Sequence, residues 1–147
     1  MMAMKDLRFQ ANLVWDGESG GEVRAGKFQG LKLDMPIEFG GNGRYPCPDE
    51  LFLSAVAGCL LTTFLYFKKR LNVHLIGFRI SISATLHGGP EGYRLAGMEA
   101  TIFAEAKKSN EPELRRCIEL AKQYCHLTRT LDKAVPIRIL DRIIVVD

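Results

Sequence analysis

The chain has 147 residues, enough for one domain with a sizeable core. Hydrophobic residues make up 47% of it and charged residues 25%, proportions that are ordinary for a water-soluble globular protein. Its 20 basic and 17 acidic residues are interspersed, and no basic stripe with interleaved aromatic residues is present. Because such a stripe is the electrostatic footprint of nucleic-acid binding, we expect no nucleic-acid partner.

The N-terminal third is predicted to form short strands. Apolar and polar residues alternate over 7–15, the period of two that is typical of a half-buried strand. GESGG (17–21) has the composition of a turn, and two further strands are expected near 22–26 and 29–35. EFGGNGRYPCP (38–48) is rich in glycine and proline and predicts a loop.

A run of seventeen residues without a charge follows this loop, LFLSAVAGCLLTTFLYF (51–67). As a helix it is about 25 Å long at roughly 1.5 Å per residue, whereas the hydrocarbon core of a membrane is about 30 Å thick. Small and hydroxyl residues such as Gly58 and Thr62 also argue against a membrane span. We therefore expect a buried central helix. Since an apolar circumference must be covered on all sides, a second copy of the chain is expected to pack on it as a homodimer.

The C-terminal half is predicted to hold a β-hairpin followed by an amphipathic helix. Alternating apolar residues over 76–86 and 98–104 flank the turn residues HGGPEGY (87–93). Apolar residues at three- and four-residue steps then predict a helix over 111–126, and a β-branched run over 135–146 predicts one or two closing strands. The order of elements indicates an α+β fold class.

The ends of that helix and the domain organisation complete the expected fold. Ser109 or Asn110 can cap the start of the helix, with Pro112 tolerated in its first turn. No internal repeat or linker divides the sequence, so residues 1–147 are expected to form a single domain.

The four cysteines, at positions 47, 59, 117 and 125, are the residues most suited to chemistry. Their spacings fit no zinc-binding pattern and the three histidines are dispersed, so we expect no metal site. The first residues, MMAMKDLRFQANLVW, lack the apolar core of a secretory signal. A cytoplasmic location is therefore expected, in which the cysteines rest as thiols.

PDELFLSAVAGCL (48–60), with the preceding EFGGNG (38–43), resembles the OsmC/Ohr family of osmotically inducible and organic hydroperoxide resistance proteins. In that family a glycine-rich loop and Pro-Glu-x-Leu lead into a buried helix with a reactive cysteine, here Cys59. A second cysteine near the end of a later helix precedes a closing strand, as does Cys125 in LAKQYCHLTRTL. The resemblance implies an OsmC-like α+β fold, with antiparallel sheets around the central helix of an intertwined homodimer whose sites lie at the subunit interface.

The resemblance also implies an activity, the thiol-dependent reduction of organic hydroperoxides or hydrogen peroxide without a cofactor. The first cysteine would attack the peroxide, and the second would resolve the sulfenic acid into a disulfide. A dithiol donor, a lipoyl group in some members, would then reduce that disulfide.

The family's site further contains a glutamate and an arginine. Asp49 stands at the glutamate position and Glu50 follows it. The first hairpin, GESGGEV (17–23), contains no arginine, so Arg24 and then Arg44 are the candidates for the activating cation.

The same residues also have plainer interpretations. Cys59 can be a small core residue, and Cys125 lies on the apolar stripe of its helix. Asp49 and Glu50 suit the dipole at the start of a helix.

Ten residues of helix place Asp49 about 15 Å from Cys59, so either acid would serve the other subunit's thiol. His126 can tune Cys125 or simply contact the helix dipole. The alternative function is therefore a non-catalytic OsmC-like protein that binds a small ligand or a partner, with its cysteines in the core.

Overall fold

The computed structural model describes residues 4–147. Backbone contacts divide the chain into two compact units, Met1–Phe52 and Leu53–Asp147. The single domain predicted over 1–147 stays a prediction.

The first unit contains a three-stranded antiparallel sheet in the order β1-β2-β3. Its strands are β1 (Asn12–Trp15), β2 (Gly20–Ala25) and β3 (Phe28–Asp34). The two strands predicted near 22–26 and 29–35 are confirmed. The prediction of a half-buried strand over 7–15 is wrong, because only its last four residues pair and all four are exposed. Asn12 lies opposite Arg24, near the end of β2, so β2 offers little further backbone to residues 7–11.

Helix α1 (Pro48–Arg70) contains the whole charge-free run. Asp49 and Glu50 lie in its first turn and basic residues lie in its last turn, an arrangement that complements the helix dipole. One side of the helix is buried within the chain, through Val56, Cys59, Leu60 and Phe64. The opposite side stays exposed in the single chain. Among the described residues, α1 is the one helix long and apolar enough to cross a membrane, a test that the core helix of a water-soluble protein also passes.

The second unit contains a three-stranded sheet in the order β4-β5-β6. Strands β4 (Leu75–Gly89) and β5 (Gly92–Lys107) form the predicted antiparallel hairpin, and β6 (Ile137–Val146) is the closing strand. The prediction of antiparallel sheets is wrong for β6, which pairs with β5 in parallel. The helical segment between β5 and β6 returns the chain to the start of β5, as a parallel pair requires.

The helix predicted over 111–126 is two helices, α2 (Glu111–Tyr124) and α3 (His126–Leu131). Cys125 lies between them with an extended backbone, φ −63° and ψ 109°. Its N–H donates to the Ala121 carbonyl and ends α2, while its own carbonyl accepts the Arg129 N–H and begins α3. Cys125 is therefore the joint between the two helices.

The predicted side-chain cap of α2 is not formed by Asn110. Asn110 precedes α2, but its side chain makes no cap hydrogen bond. Its Oδ1 instead accepts the backbone N–H of His74 at 3.1 Å, which ties the start of the helix to the residue before β4.

Two hydrophobic clusters form the core of the second unit. The larger packs α1, β5 and α2 together through residues that include Phe64, Ile102 and Leu114. The smaller consists of Cys59, Leu60, Ala100 and Cys125. The fold thus brings two cysteines, separated by more than sixty residues of sequence, into one buried cluster.

Candidate functional site

Cys59 and Cys125 are neighbours in the smaller core cluster. Cys59 lies on the buried side of α1 with 8% of its surface exposed, and Cys125 is fully buried. Both are free thiols in one buried cluster, and the Cys125 thiol raises the pKa of the Cys59 thiol. The arrangement places the two reduced cysteines together in one buried cluster.

The surroundings of Cys59 keep its thiol protonated. Burial raises the pKa of the Cys59 thiol above its ordinary value, and the neighbouring Cys125 thiol acts in the same direction. The backbone N–H of Leu127 and the hydroxyl of Thr63 oppose this increase through hydrogen bonds. Since the thiolate is the nucleophile, Cys59 needs a proton acceptor before it can react.

An imidazole ring lies against the Cys59 sulfur. His126 is the first residue of α3, and its Nδ1 and Nε2 are 3.7 Å and 3.8 Å from Cys59 Sγ. Sequence reasoning linked His126 to Cys125, its neighbour in the chain, whereas the structure places its ring beside Cys59. The extended backbone at Cys125 lets the side chains of Cys125 and His126 both lie against α1. No pattern in the sequence predicts this break between the two helices.

The other two cysteines lie elsewhere. Cys117 is buried in the larger cluster, and burial raises the pKa of its thiol. Cys47 lies in the loop before α1, in the first unit, and its N–H donates to Glu50 Oε1 at 3.1 Å. This bond lowers the pKa of the Glu50 carboxyl. Glu50 therefore holds the start of α1, next to Asp49 in the same helical turn.

The two candidate arginines both belong to the first unit. Arg24 lies on β2 with an exposed side chain, and its Nε is 3.9 Å from Glu22 Oε1. Arg44 is bound by three carboxylates: its guanidinium nitrogens lie 2.8 Å from Asp34, 2.7 Å from Asp16 and 3.0 Å from Glu18. Within the second unit, His126 is the basic side chain that contacts Cys59.

Asp34 anchors the loop that precedes α1. It is fully buried at the end of β3, and its carboxylate accepts hydrogen bonds from the Ser19 hydroxyl, the Met35 N–H, and both the N–H and the Nε of Arg44. The Arg44 guanidinium holds the pKa of the Asp34 carboxyl well below its usual range. This buried ion pair fixes Arg44, and with it the glycine-rich loop, to the first sheet.

No group of three or more histidine, cysteine, aspartate or glutamate side chains is arranged to hold a metal ion within residues 4–147. The candidate site described above is formed by two thiols and an imidazole.

The fold and this site together define a class, the α+β proteins in which a long apolar helix and a later helix end bring two thiols together. The sequence profile of the family described as OsmC-like protein matches residues 40–140, more than two thirds of the chain. The chain belongs to the OsmC-like family.

Several solved structures share this fold with the chain. An OsmC-like protein from Mycoplasma pneumoniae is 19% identical with a TM-score of 0.80, covering 95% of this chain and 99% of its own. The organic hydroperoxide resistance protein OsmC from Legionella pneumophila is 21% identical with a TM-score of 0.67, covering 94% and 98%. The organic hydroperoxide resistance protein OhrB of Bacillus subtilis is 15% identical with a TM-score of 0.60, covering 92% and 98%. Among curated proteins, none matches the chain.

Proposed function

We propose that this protein is a cytoplasmic, thiol-dependent peroxide reductase that acts on organic hydroperoxides or hydrogen peroxide through Cys59 and Cys125. The contact between the two thiols carries the proposal, because a sulfenic acid formed at Cys59 would have its partner thiol already in place. Organic hydroperoxides are the proposed substrates because two proteins of the same fold are named for resistance to them.

The proposed reaction has two steps at sulfur. The Cys59 sulfur attacks one peroxide oxygen, so that an S–O bond forms, the O–O bond breaks and an alcohol or water leaves. Cys59 is oxidised to a sulfenic acid by two electrons, and the peroxide is reduced. The Cys125 thiol then condenses with the sulfenic acid, which releases water and forms a disulfide. A dithiol donor reduces that disulfide by thiol–disulfide exchange.

Stoichiometric oxidation tests this reaction. One equivalent of cumene hydroperoxide per chain should produce an intrachain Cys59–Cys125 disulfide, detected by mass spectrometry of peptides after remaining thiols are blocked. The Cys59→Ser variant should form no such bond, and Cys117→Ser should form it at the parent rate because Cys117 lies in the other cluster. Absence of both disulfide and sulfenic acid at Cys59 in the oxidised parent would contradict the proposal.

A second function, that of a non-catalytic OsmC-like protein binding a small ligand or a partner, is favoured by the site's electrostatics. Burial raises the pKa of Cys59, and the charge of Arg44 is committed to Asp34, Asp16 and Glu18. Under this alternative the two thiols are core residues that hydroperoxide leaves unchanged. The oxidation experiment therefore separates the two functions.

We also propose a homodimer built on the uncovered side of α1. That side presents Ala55, Gly58 and Thr62 within an apolar helix, and small residues permit two backbones to approach closely. In such a dimer Asp49, Glu50 and Arg24 are proposed to act on the other subunit's Cys59. No membrane partner is proposed, because a second copy accounts for the apolar side of the helix.

Bulk at Gly58 should dissociate this dimer without harming the fold. A Cβ added at Gly58 meets no atom within 4 Å in the single chain, so Gly58→Leu should fold as well as the parent. Between two close helices the same side chain would clash. Sedimentation at micromolar concentration should show a dimer for the parent and a monomer for Gly58→Leu. Gly89→Leu, at another glycine with open space around it, is the control and should stay dimeric. A parent that sediments as a monomer would refute the dimer.

A further inference from the structure

We infer that His126 is the base that removes the proton from the Cys59 thiol, a catalytic role that rests on the peroxide reductase function proposed above. The inference starts from position: the ring contacts the sulfur atom that would attack the peroxide, with two nitrogens at 3.7 Å and 3.8 Å.

The near equality of these distances matters for proton transfer. A neutral imidazole carries a hydrogen on one nitrogen and a lone pair on the other. Because the two nitrogens lie 3.7 Å and 3.8 Å from Cys59 Sγ, the sulfur faces the middle of the ring and not the in-plane lone pair of either nitrogen. A turn of the ring about its Cβ–Cγ bond would direct the lone pair of the unprotonated nitrogen, in either tautomer, at the thiol.

The other groups around Cys59 do not take this role. Leu127 offers a backbone N–H, which is a donor, and the Thr63 hydroxyl donates to the Cys59 carbonyl at 2.7 Å. Cys125 is itself a thiol and is the proposed resolving group, so it is not the base. A histidine, by contrast, ordinarily changes its charge between pH 5 and 8 and suits general base catalysis near neutral pH.

In this step His126 first accepts the thiol proton and then returns it to the leaving group. The thiol proton passes to the imidazole as the S–O bond forms and the O–O bond breaks, and the imidazolium then gives that proton to the departing alkoxide. The products are an alcohol, a sulfenic acid at Cys59 and a neutral His126. The ring is exposed to solvent while the sulfur is 8% exposed, so the imidazole lies where the leaving oxygen would depart.

One dipeptide thus supplies two parts of the site. Cys125 is the resolving thiol, and His126, directly after it, is the base for the thiol that Cys125 resolves. The extended backbone of Cys125 allows both side chains to reach Cys59 from the same short segment.

Alkylation kinetics test the base separately from the peroxide chemistry. His126→Asn and His126→Gln should slow the reaction of Cys59 with iodoacetamide near neutral pH by about tenfold or more, and its single-turnover reaction with cumene hydroperoxide by about a hundredfold. Each rate is measured at the Cys59 peptide by mass spectrometry. His87→Asn, the same change at an exposed histidine near the end of β4, should leave both rates unchanged. The fully buried Cys117 should stay protected in every variant, which shows that the fold has not opened.

The outcomes separate the two proposals. If both His126 variants alkylate at the parent rate with Cys117 protected, the base role is overturned, whether or not the parent reduces peroxide. If the variants slow alkylation but neither parent nor variant reacts with hydroperoxide, the base role stands as thiol activation and the peroxide reductase function fails.

Discussion

The Cys125→Ser variant should lose most of its Cys59 thiol to sulfinic acid within a few cycles of peroxide and dithiol, whereas the parent should recover it after every cycle. Without the neighbouring thiol, the sulfenic acid at Cys59 has no partner for condensation and meets further peroxide instead. Sulfinic acid is not reduced by dithiols, so each cycle removes a fraction of the active chains. The measurement is the Cys59 thiol remaining after each addition of cumene hydroperoxide followed by dithiothreitol.

The matched control is Cys117→Ser, the same substitution on α2, the helix that ends just before Cys125, but in the other core cluster. It should recover Cys59 as the parent does. Equal recovery of Cys59 in the Cys125→Ser variant and the parent would show that another group resolves the sulfenic acid.

Replacement of Asp34 by alanine should destabilise the first unit more than any change at its surface. The substitution removes the acceptor of four hydrogen bonds and leaves Ser19 and Arg44 without their buried partner. Loss of one member of a buried ion pair is among the most damaging changes to a fold, so we expect the melting temperature to fall by roughly 10 °C or more. Thermal unfolding by circular dichroism measures it, with Glu38→Ala, an exposed acid in the same unit, as the control.

The same carboxylate predicts a pH dependence. The pKa of Asp34 is lower in the folded chain than in the unfolded chain, because Arg44 stabilises its charged form. The contribution of the Asp34 charge to the free energy of unfolding is therefore complete above the ordinary carboxyl pKa of about 3.9. This contribution is lost as pH falls from there toward the lower pKa of the folded chain. The Asp34→Asn variant should lack this part of the decrease in melting temperature at low pH. A melting curve of Asp34→Asn that falls with pH as steeply as that of the parent would contradict the assignment.

The apolar periodicity of the sequence was sufficient for most elements, and its failures have physical causes. The charge-free run was correctly predicted as a helix from its length and its lack of charge, and the hairpin from alternating apolar residues on either side of turn residues. The break at Cys125 was missed, since the apolar repeat of α2 continues through it and only packing against α1 makes that residue extended. The parallel direction of β6 was missed too, because a strand's residues do not encode the direction of its neighbour.

The candidate site was predictable only where a local pattern marks it. Cys59 and Cys125 were predicted from the flanking residues that carry the family resemblance, and the structure places both in one buried cluster, while their role stays a prediction. The contact of His126 with Cys59 joins residues 67 apart in the chain and depends on the backbone angles of Cys125, the residue between α2 and α3. Such a contact has no signature in a single sequence.

The parallel pairing of β6 has a consequence for synthesis on the ribosome. The hairpin of β4 and β5 emerges first, and β5 then carries an edge of unpaired N–H and C=O groups until α2, α3 and finally β6 have followed. Another nascent chain can add a strand to that edge during the interval. Any delay before β6 pairs with β5 prolongs the interval and should lower the yield of soluble protein, although the finished chain is identical.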